Sequence, residues 1–221
     1  MNISVIDTGS KGNSYALDDV KEILLLDAGK PLIDVKRAID YQISRVVGCL
    51  VTHSHGDHAK YAEEYRHAGI RVWKPYEKED VKPRQFGNYT VHTFDLVHDV
   101  PCYGFLINHS TYGRILYATD TEFIRYRFAD LRFIIVECNY MDSMLDKDLD
   151  NTPKRDHVLM GHLELETVKR FLQANDNENL EGVLLVHLSC ENMSADEAVC
   201  KLSPVISAPV WIAQKGSVFC C

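Results

Sequence analysis

A short segment of this chain concentrates side chains that can bind metal ions. Residues 53–58 hold three imidazoles and one carboxylate, directly after a run of apolar residues. Such a dense cluster is typical of a metal site rather than of a polar turn. Imidazole and carboxylate together favour Zn²⁺, with Mn²⁺ or iron as alternatives, since neither a thiolate set nor a pure oxygen set is present. The candidate ligands here are His53, His55, Asp57 and His58.

Three other strand-like apolar runs each end directly on a possible ligand. In α/β folds, sites form outside the carboxyl ends of the strands, so this placement can bring distant residues into one cleft. One zinc ion binds about four or five ligands, so seven candidates suit two divalent ions, provided that one carboxylate bridges them. Two ions about 3.5–4 Å apart can activate water and stabilise a leaving oxygen. The further candidates are His98, Asp120 and His187.

The elements that must position these ligands are short strands and helices. Early strands read as hairpins and later ones alternate with helices, which predicts an α/β fold with mixed sheets and helices outside. The strands are expected at 2–7, 14–18, 22–27, 46–51, 70–73, 89–97, 103–108, 114–118, 132–138, 182–187 and 209–213. The helices are expected at 31–41, 57–67, 163–174 and 194–202, with Ser194 as the cap of the last.

The composition of the chain narrows the class of protein to which it can belong. The 221 residues, with 46 % hydrophobic and 25 % charged, predict one globular domain spanning 1–221. No apolar run approaches the roughly 18 residues that cross a bilayer, and no signal peptide is recognisable at the start, so a cytoplasmic location without membrane contact is expected. The seven scattered cysteines agree with a reducing compartment. A net charge of −8 gives no broad basic footprint for a long polyanion.

The segment 53–58 resembles the HxHxDH motif of the metallo-β-lactamase superfamily, and the resemblance extends over the whole chain. It implies a four-layer αββα sandwich and two divalent metals, Zn²⁺ or alternatively Mn²⁺. In that family's pattern Gly56 would let the backbone turn so that its two successors face inward. The implied ligands are His53, His55 and His98 for the first metal, Asp57, His58 and His187 for the second, and Asp120 as the bridge.

Four further segments resemble the YycJ/WalJ-like branch of that superfamily. They are the loop 8–14, the stretch 136–142, Gly161–Leu163 and the stretch 187–194, with departures at Cys138, Glu164 and Met193. The glycine-rich loop can offer backbone N–H groups and a lysine to a phosphate, although it also reads as a plain hairpin turn. The residues expected to bind substrate are Ser10, Lys11, Asn13, Glu137 and Asn139. Asp57 is expected to orient the attacking water, and His162 to protonate the departing oxygen.

Within this branch two substrates remain open. Phage anti-Pycsar phosphodiesterases, which hydrolyse cCMP and cUMP in immune evasion, are similar, and so are DNA exonucleases of the YycJ/WalJ type. The acidity of the chain favours the small cyclic nucleotide over DNA. A lactone or thioester hydrolase and a non-catalytic zinc-binding module are further alternatives. A homodimer is expected by analogy with similar phosphodiesterases. The histidines without an assigned role are His67, His92, His109 and His157.

Overall fold

Two mixed β-sheets pack face to face in this protein. A computed structural model describes residues 1–78, 81–145 and 159–220, and all element counts refer to them. The strands are β1 Asn2–Asp7, β2 Ser14–Asp18, β3 Ile23–Leu26, β4 Val46–Leu50, β5 Val72–Trp73, β6 Arg84–Phe86, β7 Tyr89–Leu96, β8 Cys102–His109, β9 Gly113–Ala118, β10 Leu131–Glu137, β11 Gly182–Val186, β12 Val210–Ile212 and β13 Val218–Cys220. The helices are α1 Leu32–Ala38, α2 Gly56–Ala59, α3 Ala62–His67, α4 Leu165–Asn175 and α5 Ala195–Leu202.

The first sheet contains β1–β5 and β13, and the second contains β6–β12. The first has the strand order β13-β1-β2-β3-β4-β5, and the second has the order β12-β11-β10-β9-β8-β7-β6. Neighbouring strands are parallel in the series β3-β4-β5 of the first sheet and in the series β9-β10-β11-β12 of the second. The hairpins β1-β2-β3 and β6-β7-β8-β9 are antiparallel. Because β3, β4, β9, β10 and β11 carry their carboxyl ends to the same edge, that edge can bring together residues from both sheets.

Three apolar layers hold the sheets and helices together. Side chains of both sheets, such as Tyr15, Phe105 and Phe133, interdigitate in the central layer. Apolar residues of α4 and α5 cover the outer face of the second sheet, and those of α1 and α3 cover the outer face of the first. The arrangement is the four-layer αββα sandwich that the sequence predicted.

The predicted elements are confirmed with three differences. All eleven predicted strands are present, while β6 and β13, each of three residues, were not predicted. Both are short strands at sheet edges, where the period-two pattern is too brief to recognise. The predicted helix 57–67 is divided into α2 and α3. The backbone of Ala28 causes the division, since it accepts from Tyr61 N at 2.9 Å and donates to the carbonyl of His58 at 2.7 Å.

Helices long and apolar enough to cross a bilayer are absent from the described ranges.

Candidate metal centre

Six strands deliver the predicted ligands and their supports to one edge of the sandwich. Three residues within two positions of a strand end adopt a left-handed backbone conformation: Asp27 at φ 56°, Asp120 at 53° and His187 at 54°. This conformation is uncommon for residues other than glycine, although Asp and His adopt it more readily than most. It reverses the chain as each strand ends, and such local strain is typical of functional sites.

The seven predicted metal ligands lie together at this edge. Two groups have ligand atoms that all lie within 4.8 Å of one another: His53, His55, His98 and Asp120 in the first, and Asp57, His58, Asp120 and His187 in the second. Asp120 is common to both, with one oxygen 3.7 Å from His53 Nε2 and 3.3 Å from His58 Nε2. The structure therefore gives this carboxylate the central place expected of a bridging ligand.

Unsatisfied ring nitrogens test whether these residues fit a metal ion. The Nε2 atoms of His53 and His187 and the Nδ1 atom of His98 are buried, and within the described residues none has a hydrogen-bond partner. Buried polar atoms are almost always paired, because leaving one unpaired costs about 1–3 kcal/mol. Three such nitrogens around buried carboxylates are a donor set for a divalent cation of the zinc type. The residues present fit a metal.

Burial and neighbouring charges set the protonation of these ligands. Burial, reinforced by the nearby His58, lowers the pKa of His53 to about 2, so its lone pairs are available at neutral pH. For His187, burial would lower the pKa, but the carboxylates of Asp120, Asp57 and Glu137 outweigh it and raise the pKa to about 10. A divalent cation has to displace that proton, so metal binding at this edge releases protons.

Asp27, which is not among the predicted site residues, holds His58 in place. Its fully buried carboxylate lies 2.8 Å from His58 Nδ1 and also accepts from Thr52 N at 2.9 Å and from the Tyr117 hydroxyl at 2.5 Å. A carboxylate bound to the far nitrogen of a ligating histidine fixes its tautomer and orientation. Asp27 follows the apolar strand β3 directly, which is the same strand-end signal that identified four of the ligands.

Glu137 does the same for two other histidines. One carboxylate oxygen lies 2.6 Å from His162 Nδ1 and 2.9 Å from His187 Nδ1, and the other accepts from Leu163 N at 3.2 Å. Burial would raise the pKa of Glu137, but His162 and the hydrogen bonds lower it, so the carboxylate is ionised. For His162, burial would lower the pKa, but Glu137 raises it above its ordinary value. His162 thus lies beside the ligand His187, since both rings contact the same oxygen of Glu137.

The two predicted substrate-binding asparagines lie behind the ligands. Asn13 is fully buried, with its amide nitrogen 2.9 Å from His58 Nε2 and 3.4 Å from Asp57 Oδ2. Asn139 donates to the carbonyl of His187 at 2.9 Å and is 7 % exposed. Together with the buried Glu137, these positions support the ligand side chains rather than line an open cleft.

Ser10 and Lys11, in contrast, line a cavity of about 250 Å³ beside Asp57. Lys30 and Lys60 also line it, and we call it the lysine pocket. Lys30 is engaged by Asp7 at 2.9 Å, whereas Lys11 and Lys60 are exposed. The pocket and the metal ligands share Asp57, so an anion in the pocket would lie next to the centre.

Two other features of the edge differ from the expectations. Gly56 was expected to be needed for a backbone turn, but its φ is not positive and an added Cβ would meet nothing within 4 Å. Asp99 was not singled out, yet one of its carboxylate oxygens lies 3.3 Å from His55 Nε2 and 3.2 Å from His98 Nε2. It directly follows a predicted ligand, and its half-exposed carboxylate adds negative charge at the mouth of the centre.

Of the histidines without an assigned role, His109 is buried and bonded to Asp19 at 2.9 Å. His67 and His92 belong to none of the ligand groups, and His157 lies outside the described residues.

Comparison with known proteins agrees with this geometry. Residues 7–100 match the family model of the metallo-beta-lactamase superfamily. An exodeoxyribonuclease YycJ of Bacillus anthracis is 25 % identical over 93 % of this chain and 89 % of its own length. An exodeoxyribonuclease WalJ of Streptococcus pneumoniae is 24 % identical over 86 % of this chain and 82 % of its own. The metallo-beta-lactamase fold protein YhfI of Bacillus subtilis superposes with a TM-score of 0.73 at 17 % identity, covering 99 % of this chain and 98 % of that one.

Proposed function

We propose that this chain, which is a metal-dependent hydrolase of the metallo-β-lactamase superfamily, cleaves phosphodiester bonds of nucleotides. The observation that carries the proposal is that one carboxylate, Asp57, belongs both to the candidate metal ligands and to the lining of the lysine pocket. A centre for water activation beside a cationic anion pocket suits a phosphate ester better than a neutral lactone or thioester.

Separate groups of residues have separate roles in the proposed hydrolysis. Two divalent ions, Zn²⁺ or Mn²⁺, held by the seven ligands would supply Lewis-acid charge and lower the pKa of water. Asp57 faces both the centre and the lysine pocket. Burial would raise the pKa of its carboxyl, but the nearby rings of His187 and His58, at 3.5 and 3.4 Å, outweigh burial and lower that pKa. It is therefore ionised and can orient the attacking water. His162, whose ring is fixed at Nδ1 by Glu137, donates a proton to the departing oxygen.

Two substrates fit this chemistry. The first is a DNA end, supported by the two exodeoxyribonuclease relatives that align over most of this chain. The second is a cyclic nucleotide such as cCMP or cUMP, as in immune evasion of the anti-Pycsar type. Its support is the small volume of the lysine pocket and the net charge of −8.

The proposal is tested with purified protein supplied with Zn²⁺ or Mn²⁺. The substrates are bis(4-nitrophenyl) phosphate, cCMP, cUMP, cAMP, single- and double-stranded DNA, and a lactone. We expect diester cleavage that is lost in Asp57→Ala, with no turnover of the lactone. Turnover of the lactone alone would contradict the proposal, while the DNA and cyclic nucleotide arms decide between the two substrates.

The lysine pocket has a matched control on α5. Lys11→Ala should raise KM for the true substrate about tenfold, because a charged hydrogen bond to phosphate is removed. Lys201→Ala removes the same charge from a half-buried lysine that pairs with Glu197 at 3.0 Å, and it should leave KM unchanged. Equal effects of the two substitutions would point to net charge rather than to the pocket.

A further inference from the structure

A groove of about 610 Å³ begins beside the candidate metal centre, and no part of the chemistry described so far uses it. One wall is the segment 122–127, which starts two residues after Asp120. The other wall includes Leu159, three residues before His162, and one face of α4. The segment 122–127 starts beside the ligands, since Glu122 N donates to the carbonyl of Val97, the residue before His98, at 2.9 Å. We call it the arginine groove, after Arg125, Arg127 and Arg170 in its lining.

Among the residues that the structure describes, the three arginines have no carboxylate as counter-ion. All three are exposed, and none forms an ion pair there, whereas two exposed arginines elsewhere do: Arg37 with Asp34 at 3.2 Å and Arg66 with Glu63 at 2.7 Å. Arg170 donates to the Thr167 hydroxyl at 3.1 Å. Guanidinium groups without a carboxylate partner present the forked donors that bind phosphate.

Two carboxylates also line the groove. Glu164 is engaged as the cap of α4, where its side chain accepts from Glu166 N at 2.6 Å and from Thr167 N at 3.1 Å, so its charge is compensated by the start of the helix. Glu122 is exposed at the end nearest the centre. Three guanidinium groups against these two carboxylates leave the groove positive on a chain whose net charge is −8.

Aromatic rings lie between the arginines. Phe123 is 41 % exposed and Tyr126 is 36 % exposed, which is unusual for side chains of this size. The Arg125 guanidinium lies 5.9 Å from the centre of the Phe123 ring. Exposed aromatic rings alternating with cationic groups are the combination that binds single-stranded nucleic acid, since bases stack on the rings and phosphates pair with the cations.

The groove is longer than one nucleotide. The lining residues of α4, from Thr167 to Asn175, repeat at intervals of three and four and so share one helical face. At 1.5 Å per residue this face extends about 12 Å. A second cavity of about 400 Å³ continues from it, sharing Arg127 and Asn175 with the groove. A cyclic mononucleotide at the centre would leave this surface without a role.

We propose that the arginine groove binds the uncleaved part of a single DNA strand whose end is hydrolysed at the metal centre. Phosphates contact the three arginines, and bases stack on Phe123 and Tyr126. The inference rests on the proposed phosphodiesterase activity, and it names the substrate as an extended strand rather than a cyclic nucleotide.

The test uses the full chain with bound metal and compares Arg127→Ala/Arg170→Ala with Arg37→Ala. Arg37 is an exposed arginine on α1, and its substitution controls for loss of surface charge. For wild type, KM for oligothymidylates should fall as their length increases. In the double variant this dependence should disappear, with kcat/KM for the long oligomer reduced roughly tenfold or more. Turnover of bis(4-nitrophenyl) phosphate should be unchanged in both proteins.

Binding distinguishes failure of this inference from failure of the proposed function. Fluorescence anisotropy of a labelled oligothymidylate needs no turnover, so it tests the groove even if the small diester is not cleaved. The double variant should bind more weakly, and the slope of log K against log salt should decrease by about 0.7 for each phosphate that the groove no longer neutralises. Oligomer binding and cleavage that are unchanged in the double variant, or reduced equally by Arg37→Ala, would overturn the inference.

Discussion

The sheets carry a cluster of histidine and carboxylate groups at each of two opposite edges, and the clusters differ in how their polar atoms are used. The distal cluster, formed by Asp19, Glu22, Asn88 and His109, lies where β2 turns into β3 and where β8 ends. His109 Nε2 is bonded to Asp19, and its Nδ1 accepts from the backbone N–H groups of residues 111 and 112. Both ring nitrogens are therefore occupied.

The metal centre contains the same residue types, but in the part of the chain that the structure describes some of its histidine ring nitrogens have no hydrogen-bond partner. Three of its buried ring nitrogens lack a partner among the described residues, although the carboxylates around them are well bonded. A cluster with every atom paired stabilises the fold, whereas a cluster with unpaired nitrogens carries a folding cost that a ligand offsets. Composition alone would not separate the two edges.

The largest expected difference is in activity. Asp120→Asn should remove metal binding and reduce kcat/KM for bis(4-nitrophenyl) phosphate by about 10³-fold, because the metals supply several kcal/mol of transition-state stabilisation. His109→Ala should keep activity and metal content, and lower the free energy of unfolding by about 1–3 kcal/mol, because Asp19 loses a buried partner. Metal analysis, steady-state kinetics and urea unfolding of both variants check this. A fall in metal content in His109→Ala would break the distinction.

The gain in the free energy of unfolding on metal binding is the next largest expected difference between the two clusters. Zn²⁺ added to chelator-treated protein at 100 times its dissociation constant should raise the free energy of unfolding by about 2.7 kcal/mol. The increment should be the same in His109→Ala and absent in Asp120→Asn, as measured by thermal unfolding with and without Zn²⁺. An increment that persists in Asp120→Asn would place the ion elsewhere.

Substitution of a supporting carboxylate should produce a smaller difference in activity between the metal centre and the distal cluster. Glu137→Gln should reduce metal affinity or activity about 10- to 100-fold, since Glu137 orients both His187 and His162. Glu22→Gln is the matched change in the distal cluster, where the carboxylate accepts from Asn88 N at 2.6 Å, and it should leave both properties unchanged. Metal titrations and kinetics of the two variants decide. Equal kinetics in both would mean that Glu137 does not position the ligands.

Four of the ligands were predictable because each follows an apolar strand, and the other three because they stand in the dense cluster at 53–58; neither signal requires knowledge of the fold. The strand-end signal is also present at Asp27, which was missed because a lone acid after a short strand does not suggest a metal. Glu137 and Asn139 were located correctly, but whether they face substrate or the ligands depends on strand register and on the residues across the sheet. Register of that kind is not encoded locally.

Two other features of the structure could not be predicted from the sequence. His109 and Asp19 meet only because β8 and the β2-β3 turn end at the same edge, and their separation of 90 residues carries no pattern. The arginine groove also escaped notice, because the net charge of −8 conceals a local excess of guanidinium groups.

Acid sensitivity gives the smallest contrast. Burial would raise the pKa of Asp19, but hydrogen bonds from Glu22 N, His109 and Asn88 outweigh it and lower the pKa from 3.8 to about 2. A carboxyl whose pKa is lower in the folded protein than in the unfolded chain stabilises the fold at pH values above its pKa in the unfolded chain. That contribution, on the order of 1 kcal/mol for a solvent-screened turn, is lost as pH falls from about 4 to about 2. Urea unfolding of chelator-treated protein should therefore show Asp19→Asn less stable than wild type at pH 7, with the difference shrinking towards pH 2. Because chelation removes the contribution of the metal, a constant difference would assign the acid sensitivity to groups outside the distal cluster.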